Sequence, residues 1–295
     1  MDSYRDESGY LKLLEDVLEN GDEKETRNGK VISSFGKIIS FYNIENRFPL
    51  LTSKRVFLRG VIEELLWFLR GSIDSNELKN KNVNIWNGNS SREYLDSIGL
   101  NHYKEGELGP IYGWQWKTFG KKYGSDEKGF DQIRYVLEEL MKPENSRRAV
   151  ISGWNPTQLK EMALPPCHIL YVFYKNKHGL HCSVSMRSTD LFLGLPFNIA
   201  SVSILVHIIA KLLHIQPHAI SINMTDLHIY EEHIESVKKQ IKNQIEEPPV
   251  LEISKTSPSV ECSIDEKIKW IESLCYEDFV LKDYKHNGVL QAPMK

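Results

Sequence analysis

Neither sign of charge dominates this chain: 37 lysines and arginines stand against 40 aspartates and glutamates, a formal net charge of −3. So small an excess gives no bulk attraction to nucleic acid or to an anionic surface, and any anion site has to be local. The chain also lacks a basic stripe and the aromatic-basic motifs of RNA-binding modules, so nucleic acid is not expected as a primary partner. Cysteine is scarce, with four in 295 residues (Cys167, Cys182, Cys262 and Cys275). That density excludes a disulfide scaffold, and no C-x-x-C pair suggests a zinc or redox centre. His228, Glu232 and His233 lie close in sequence, but H-x-x-x-x-H is the wrong interval for two ligands on one helical face, so no metal is assigned. Clean apolar runs are short as well. Leu195 to Ile215 is the strongest, and Asn198, Ser201, Ser203, His207 and Lys211 break it before the roughly 18 residues that a membrane span needs. A buried core helix, with no membrane partner, is expected there. The opening MDSYRDESGY is acidic and polar, unlike a secretory signal or transit peptide, and the tail NGVLQAPMK carries no anchor or retention motif. An intracellular protein, cytoplasmic or nuclear, with reduced thiols is the expectation.

What is present is ordinary for a folded domain: 41% hydrophobic and 26% charged residues. A chain of this length can bury a large core, and residues 1–295 are read as one domain. Tyr10, Leu11, Leu13, Leu14, Val17 and Leu18 fall largely on one helical face, closed by Asn20-Gly21. GDEKETRNGK reads as a polar loop with Arg27 before an Asn-Gly turn. VISSFGKIISFY, residues 31–42, reads as a strand with a bulge or kink at Gly36. From Thr52 to Gly71 a helix is expected, capped by Thr52 or Ser53 and running from Arg55 through Leu69. Glu63 and Glu64 interrupt its apolar face, and a carboxylate there ordinarily points to solvent. Between Asp74 and Gly109 only a short helix near 75–80 is expected, with Ile85 and Trp86 standing out as an apolar pair. Ile133, Val136, Leu137, Leu140 and Met141 give a further helix, stopped by Pro143. Strands are expected at 149–154, 169–175, 180–187 and 218–224, a polar edge element over 238–258 and a last strand at 276–282. The class is α/β, with a mixed or predominantly antiparallel sheet.

Chemistry concentrates between Met162 and Ala200. Pro165 and Pro166 fix two φ angles and withhold two donors, so Cys167 sits stiffly at the start of a strand. A lone cysteine is ordinarily a small buried hydrophobe. Rigid placement, an adjacent His168 and several arginines argue instead for an activated thiolate. Strand neighbours point to opposite faces, however, so His168 is not simply the base for Cys167. Arg147 and Arg148 are ordinary surface charge by position, although bidentate geometry suits Arg to phosphate. Asn198, near a helix start, is ordinarily a cap. His228 and Tyr230 share a face if the strand reaches them.

Ordered along the chain, Ser146-Arg147-Arg148, PPCH ending at His168, Arg187 and Ser188 followed by Asp190, LGLPFNIAS from Leu193 to Ser201, and DLHIY ending at Tyr230 resemble the thymidylate synthase family. The resemblance runs from about Gly9 to Pro293. It implies an α/β (α+β) domain with a large mixed sheet flanked by helices, dimerising through sheet faces. It also implies reductive methylation of 2′-deoxyuridine monophosphate (dUMP) by 5,10-methylenetetrahydrofolate as co-substrate, giving dTMP and dihydrofolate with no metal. Cys167 matches the family's nucleophile, Glu64 its proton-handling carboxylate, Tyr112 the tyrosine near the ring proton, and Asn198 the base reader, with Arg187 beside the thiol. Arg27, Arg187 and Ser188 match phosphate ligands, joined by Arg147 and Arg148 from across a homodimer interface. His228 and Tyr230 match the ligands of the sugar hydroxyl. Lys54, Ile85, Trp86, Asp190, Leu193, Gly194 and Phe197 match the folate site, and His168 is a supporting residue. The tail resembles the family's carboxyl-terminal lid.

Two departures stand out. The family commonly has Gln where this chain has Met186, which cannot supply an amide's hydrogen bonds. Asn89 falls roughly where a second tryptophan is frequent, which affects the far wall of the folate pocket. A deoxycytidylate hydroxymethylase shares the architecture but carries Asp where Asn198 stands. An idle nucleotide-binding regulator would have lost Cys167 or an anion-site arginine, and none is missing.

Overall fold

The computed structural model describes residues 3–144 and 146–294; Met1, Asp2, Asn145 and Lys295, the last residue of the tail read as a lid, lie outside them. In chain order the elements are β1 (Ser3–Arg5), α1 (Asp6–Asn20), β2 (Asp22–Thr26), β3 (Gly29–Tyr42), α2 (Leu58–Leu69), α3 (Asn76–Lys79), α4 (Arg92–Ser97), α5 (Tyr112–Thr118) and α6 (Gln132–Met141). There follow β4 (Val150–Ser152), β5 (His168–Asn176), β6 (Gly179–Asp190), α7 (Gly194–Leu213), β7 (Pro217–Tyr230), α8 (Ile234–Ile241), β8 (Val250–Ile253), α9 (Ile264–Glu272) and β9 (Phe279–Lys282). The large sheet runs β1-β3-β7-β6-β5-β4, with β2 hairpinned onto β3. Pairing is parallel for β1 with β3 and for β6 with β7, and antiparallel elsewhere, so the sheet is mixed.

α7 is the pillar. Its span is long and apolar enough to cross a membrane, yet 83% of that window is buried inside the protein. It packs across β6 and β7 on one side and against α2 on the other. Gly60 permits that last approach, because a Cβ there would lie 2.7 Å from the Phe57 ring and 3.3 Å from Phe197. Pro196 sits in the first turn of α7, where its missing N–H costs no helical bond. The opposite face of β5 stays open: Leu170, Val172 and Tyr174 are 36–56% exposed, alternating with buried Tyr171 and Phe173.

A row of irregularities crosses the sheet at one level. Gly36 adopts φ +69° and drops out of the β3–β7 ladder without shifting its register, opposite Thr225. Arg187 drops out of the β6–β7 ladder beside it. Between His168 and Leu170 the β5–β6 register slips. Such breaks bend and twist strands locally, and here they open the sheet where Cys167 meets Arg187.

Several expected elements are revised. GDEKETRNGK is a hairpin rather than a loop, since β2 pairs with β3 along its length and Arg27 begins the turn; every β2 residue is exposed, so no hydrophobic alternation marks it. The helix expected from Thr52 starts only at Leu58 and lacks a side-chain cap. Thr52 and Ser53 are engaged elsewhere: the buried Glu7 carboxylate accepts from both backbone N–H groups at 2.7–2.9 Å and from the Thr52 hydroxyl at 2.8 Å. The polar stretch from 238 begins inside α8, and β8 pairs with β9 in a separate two-stranded sheet. Neither glutamate of α2 simply faces solvent: Glu63 is 4% exposed and pairs with Lys81 at 2.6 Å.

Glu7 holds the segment that carries Lys54, so removing it leaves three buried donors without a partner. Glu7→Ala is expected to cost about 3 kcal/mol, read as a lower denaturant midpoint at unchanged m-value.

Candidate active site

Cys167 stands at the entry to β5, and the two prolines before it explain what surrounds it. Having no N–H, Pro165 and Pro166 offer only carbonyls, and both point at one guanidinium. Arg187 Nε donates to Pro166 O at 2.8 Å and Nη2 to Pro165 O at 2.7 Å, which leaves Nη2 3.8 Å from Cys167 Sγ. The Arg187 backbone N–H donates to Cys167 O at 3.0 Å, and the guanidinium lies over Trp154, 5.7 Å from the ring centroid. Thiol and cation are thus locked together across the irregular step of the sheet. Burial pushes the Cys167 thiol up from its ordinary value, opposed by the Arg187 charge and the Tyr112 hydroxyl.

Tyr112, at the start of α5, accepts from the Cys167 N–H at 2.6 Å. Its ring packs 4.8 Å from Phe68 and 6.3 Å from Trp86. Burial raises its own hydroxyl well above the usual tyrosine range, with the charges of Cys167 and Glu64 adding to the effect. Glu64 on α2 accepts from Trp86 Nε1 at 2.8 Å. Burial lifts its carboxyl to about 7, only partly offset by that hydrogen bond. A carboxylate in this range can take up and return a proton near neutrality.

Asp190 ends β6, three residues beyond Arg187. Its carboxylate accepts from the backbone N–H groups of Phe192, Leu193 and Gly194 at 2.9–3.3 Å, so it, and not Asn198, caps the start of α7. His233 Nδ1 stands 3.6 Å away. Burial alone would raise the Asp190 carboxyl, but His233 and these backbone donors hold it below the usual range. Lys54 is buried with Nζ donating to Phe192 O and lying 3.5 Å from the Phe192 ring centroid. Burial lowers its ammonium to about 7 against the attraction of Asp190. His233 Nε2 reaches Pro293 O at 2.8 Å, and Ser236 donates to Gln291 O at 2.9 Å, so the tail lies against this corner. Ile85, Leu193 and Phe197 are half-buried and packed on the core.

On the β6–β7 ladder Ser188 lies opposite Asp226 and Asp190 opposite His228. His228 Nδ1 is 3.0 Å from Asp226 Oδ1, and its ring is 5.1 Å from Tyr230. β7 does extend to Tyr230, so the two side chains share a face as their spacing suggested. Val31 pairs with Tyr230, which places the turn carrying Arg27 beyond this end. Asn198 approaches Met186, with Nδ2 3.8 Å from the thioether, and its amide favours the charged form of His168. Burial lowers the His168 imidazole to about 4, so it is neutral at physiological pH. Asn89 is half-buried.

Among the described residues Arg147 and Arg148 make no hydrogen bond with Cys167, Arg187, Ser188 or Asn198. They precede β4 at the far edge of the sheet, exposed, and among the described residues neither guanidinium makes a hydrogen bond or ion pair. Glu7, Tyr171 and the site contacts of His233 have no signature in sequence, because each acts through a partner distant in the chain or across a strand break. Among the described residues no group of three or more His, Cys, Asp or Glu side chains is arranged to hold a metal.

The family model described as thymidylate synthase matches residues 8–295. A thymidylate synthase 1/2 of Encephalitozoon cuniculi is 41% identical over 294 aligned positions, covering 98% of this chain and 97% of that protein. A bifunctional dihydrofolate reductase-thymidylate synthase of Zea mays is 42% identical over 295 positions, 98% of this chain and 54% of that protein. A putative bifunctional enzyme of the same description from rice is 42% identical over 272 positions, 90% and 55% of the two chains. The chain therefore spans about half the length of the bifunctional relatives it matches. With the match reaching from α1 through the tail, the chain belongs to the thymidylate synthase family.

Proposed function

We propose that this chain converts dUMP and methylenetetrahydrofolate to dTMP and dihydrofolate through a covalent adduct of Cys167. The observation that carries the reading is the Arg187 guanidinium held 3.8 Å from the Cys167 sulfur, in a member of this family. Carbon 5 of a pyrimidine is a poor nucleophile. Cys167 Sγ adds to carbon 6, and the enolate so formed makes carbon 5 nucleophilic toward the one-carbon unit. Arg187 stabilises the thiolate form needed for attack and contributes to the phosphate site with Arg27 and Ser188. Asn198 reads the ring edge, and His228 and Tyr230 hold the sugar hydroxyl. Tyr112 assists removal of the ring proton. Glu64, with its carboxyl near 7, organises water and protons. Loss of tetrahydrofolate and return of its hydride complete the methyl group.

The folate reading is supported by chemistry: half-buried Ile85, Leu193, Gly194 and Phe197 suit a flat ring, and Asp190 and Lys54 supply charge of both signs, with Trp86 beside Ile85 in the chain. Arg147 and Arg148, exposed and with guanidinium groups that make no hydrogen bond or ion pair among the described residues, support a role on the phosphate of a second subunit. The open face of β5, with Leu170, Val172 and Tyr174, supports a homodimer formed through sheet faces. Four free cysteines suit a reducing compartment, which supports a cytoplasmic location. One domain spanning residues 1–295 is part of the same reading.

The test is incubation of purified protein with dUMP and methylenetetrahydrofolate, following dihydrofolate by absorbance and nucleotides by mass. Dihydrofolate and dTMP are expected in equal amounts. Hydroxymethylated nucleotide without dihydrofolate, or no product at all, overturns the assignment; sedimentation giving only monomer at assay concentration overturns the cross-subunit role of Arg147 and Arg148.

A further inference from the structure

His168 and Tyr171 are three residues apart in β5, a spacing that sends side chains to opposite faces of a regular strand. The register slip between His168 and Leu170 cancels the alternation, and both side chains are buried, 8% and 2% exposed. The Tyr171 hydroxyl lies 2.7 Å from His168 Nδ1. Trp116 packs edge-on against the Tyr171 ring, with centroids 5.3 Å apart, and holds it in place. Among the described residues this hydroxyl has no other hydrogen-bond partner. If it did not donate to Nδ1, its proton would be buried unsatisfied at a cost of about 1–3 kcal/mol. The O–H therefore donates to Nδ1. Burial keeps the His168 ring neutral, and a neutral imidazole that accepts at Nδ1 carries its hydrogen on Nε2. That N–H is the donor left to face the Asn198 amide, whose influence favours the charged imidazole, and of the two amide groups only the oxygen can accept it. The amide nitrogen then faces the Met186 thioether at 3.8 Å. A thioether is a weak acceptor and cannot by itself fix the amide against a flip.

We propose that Tyr171 is a positioning residue which, through His168, sets the orientation of the Asn198 amide and so selects a ring edge with an N–H beside a carbonyl, as in uracil, over a bare nitrogen beside an amino group, as in cytosine. The inference rests on the reading that a pyrimidine nucleotide binds here. With its oxygen held toward His168 Nε2–H, the amide keeps one lone pair and one N–H for the ligand in the order that uracil complements. A flipped amide would complement cytosine, and nothing on the Met186 side opposes that flip strongly.

The test uses the full chain without folate, comparing equilibrium binding of dUMP and dCMP to wild type and Tyr171→Phe. The phenyl ring preserves packing against Trp116, so the variant is expected to fold, as a thermal melt verifies. Loss of one orienting hydrogen bond is expected to lower the dUMP-over-dCMP affinity ratio by about tenfold. A merely structural role would weaken both nucleotides together and leave the ratio unmoved, which would overturn the proposal. NMR of the imidazole nitrogens provides a second readout that is independent of any ligand. Wild type is expected to carry the His168 proton on Nε2 alone, and the variant a mixture of tautomers; a wild-type proton on Nδ1 overturns the relay. If wild type binds neither nucleotide, it is the proposed function that fails, and the tautomer result alone decides whether the relay exists.

Discussion

Cys167→Ala is expected to bind dUMP with nearly wild-type affinity and to form neither dTMP nor dihydrofolate above background, a loss of about four orders of magnitude or more in kcat. The physical reason is that every later step of the proposed reaction depends on the adduct: without sulfur at carbon 6, carbon 5 would not gain nucleophilic character. Binding survives because the groups proposed to hold the nucleotide, among them Arg187, Asn198, His228 and Tyr230, do not depend on Sγ for their position. Arg187 is anchored by the carbonyls of Pro165 and Pro166 rather than by the thiol, so the variant should keep its geometry. Single-turnover assays by mass and equilibrium dialysis check the two halves. Residual turnover within a hundredfold of wild type would mean that another group adds to the pyrimidine.

Glu64→Gln is expected to lower kcat by about a hundredfold to ten-thousandfold, the usual contribution of general acid–base catalysis, while nucleotide affinity changes little. The glutamine keeps the hydrogen bond from Trp86 Nε1 and most of the shape, so the change isolates the proton. In wild type the kcat profile should carry an inflection near the Glu64 value of about 7, and the variant should lose it. Stability should move the other way. The folded carboxyl, at about 7, lies above its ordinary 4.5, so folding favours the protonated form. Its contribution is fully present below the ordinary value and is lost as pH rises through about 7. Relative to the variant, wild type should therefore weaken across that window, by up to about 3 kcal/mol from the linkage relation. Denaturant midpoints for both proteins across the window test the sign. A variant with full activity, or a stability difference that does not change with pH, would remove Glu64 from the proton-handling role.

These predictions show how unevenly the chain announces its structure. α7 was legible because its apolar run is too long for a strand, is punctuated by polar residues such as Asn198 and His207, and carries Pro196 where a first helical turn tolerates it. Cys167 was legible because two prolines leave a cysteine few conformations. β2 was not, because a wholly exposed hairpin arm carries no hydrophobic period. The start of α2 was not legible, because capping chemistry is local and the partner that overrides it here is not. Thr52 and Ser53 have the right side chains to cap a helix, but Glu7, distant in sequence, takes up their donors, and the helix waits until Leu58.

The sequence by itself determined the residue types of the reaction, their order along the chain and the α/β class, since motifs and periodicity are local properties. Only the tertiary structure decided which of them meet. The aligned breaks at Gly36, Thr225, Arg187 and Ile169 turn a guanidinium toward a thiol and bring His168 and Tyr171 to one face. Burial in that fold then sets Glu64 near 7 and His168 near 4, because desolvation depends on neighbours from every part of the chain and is written at no single position.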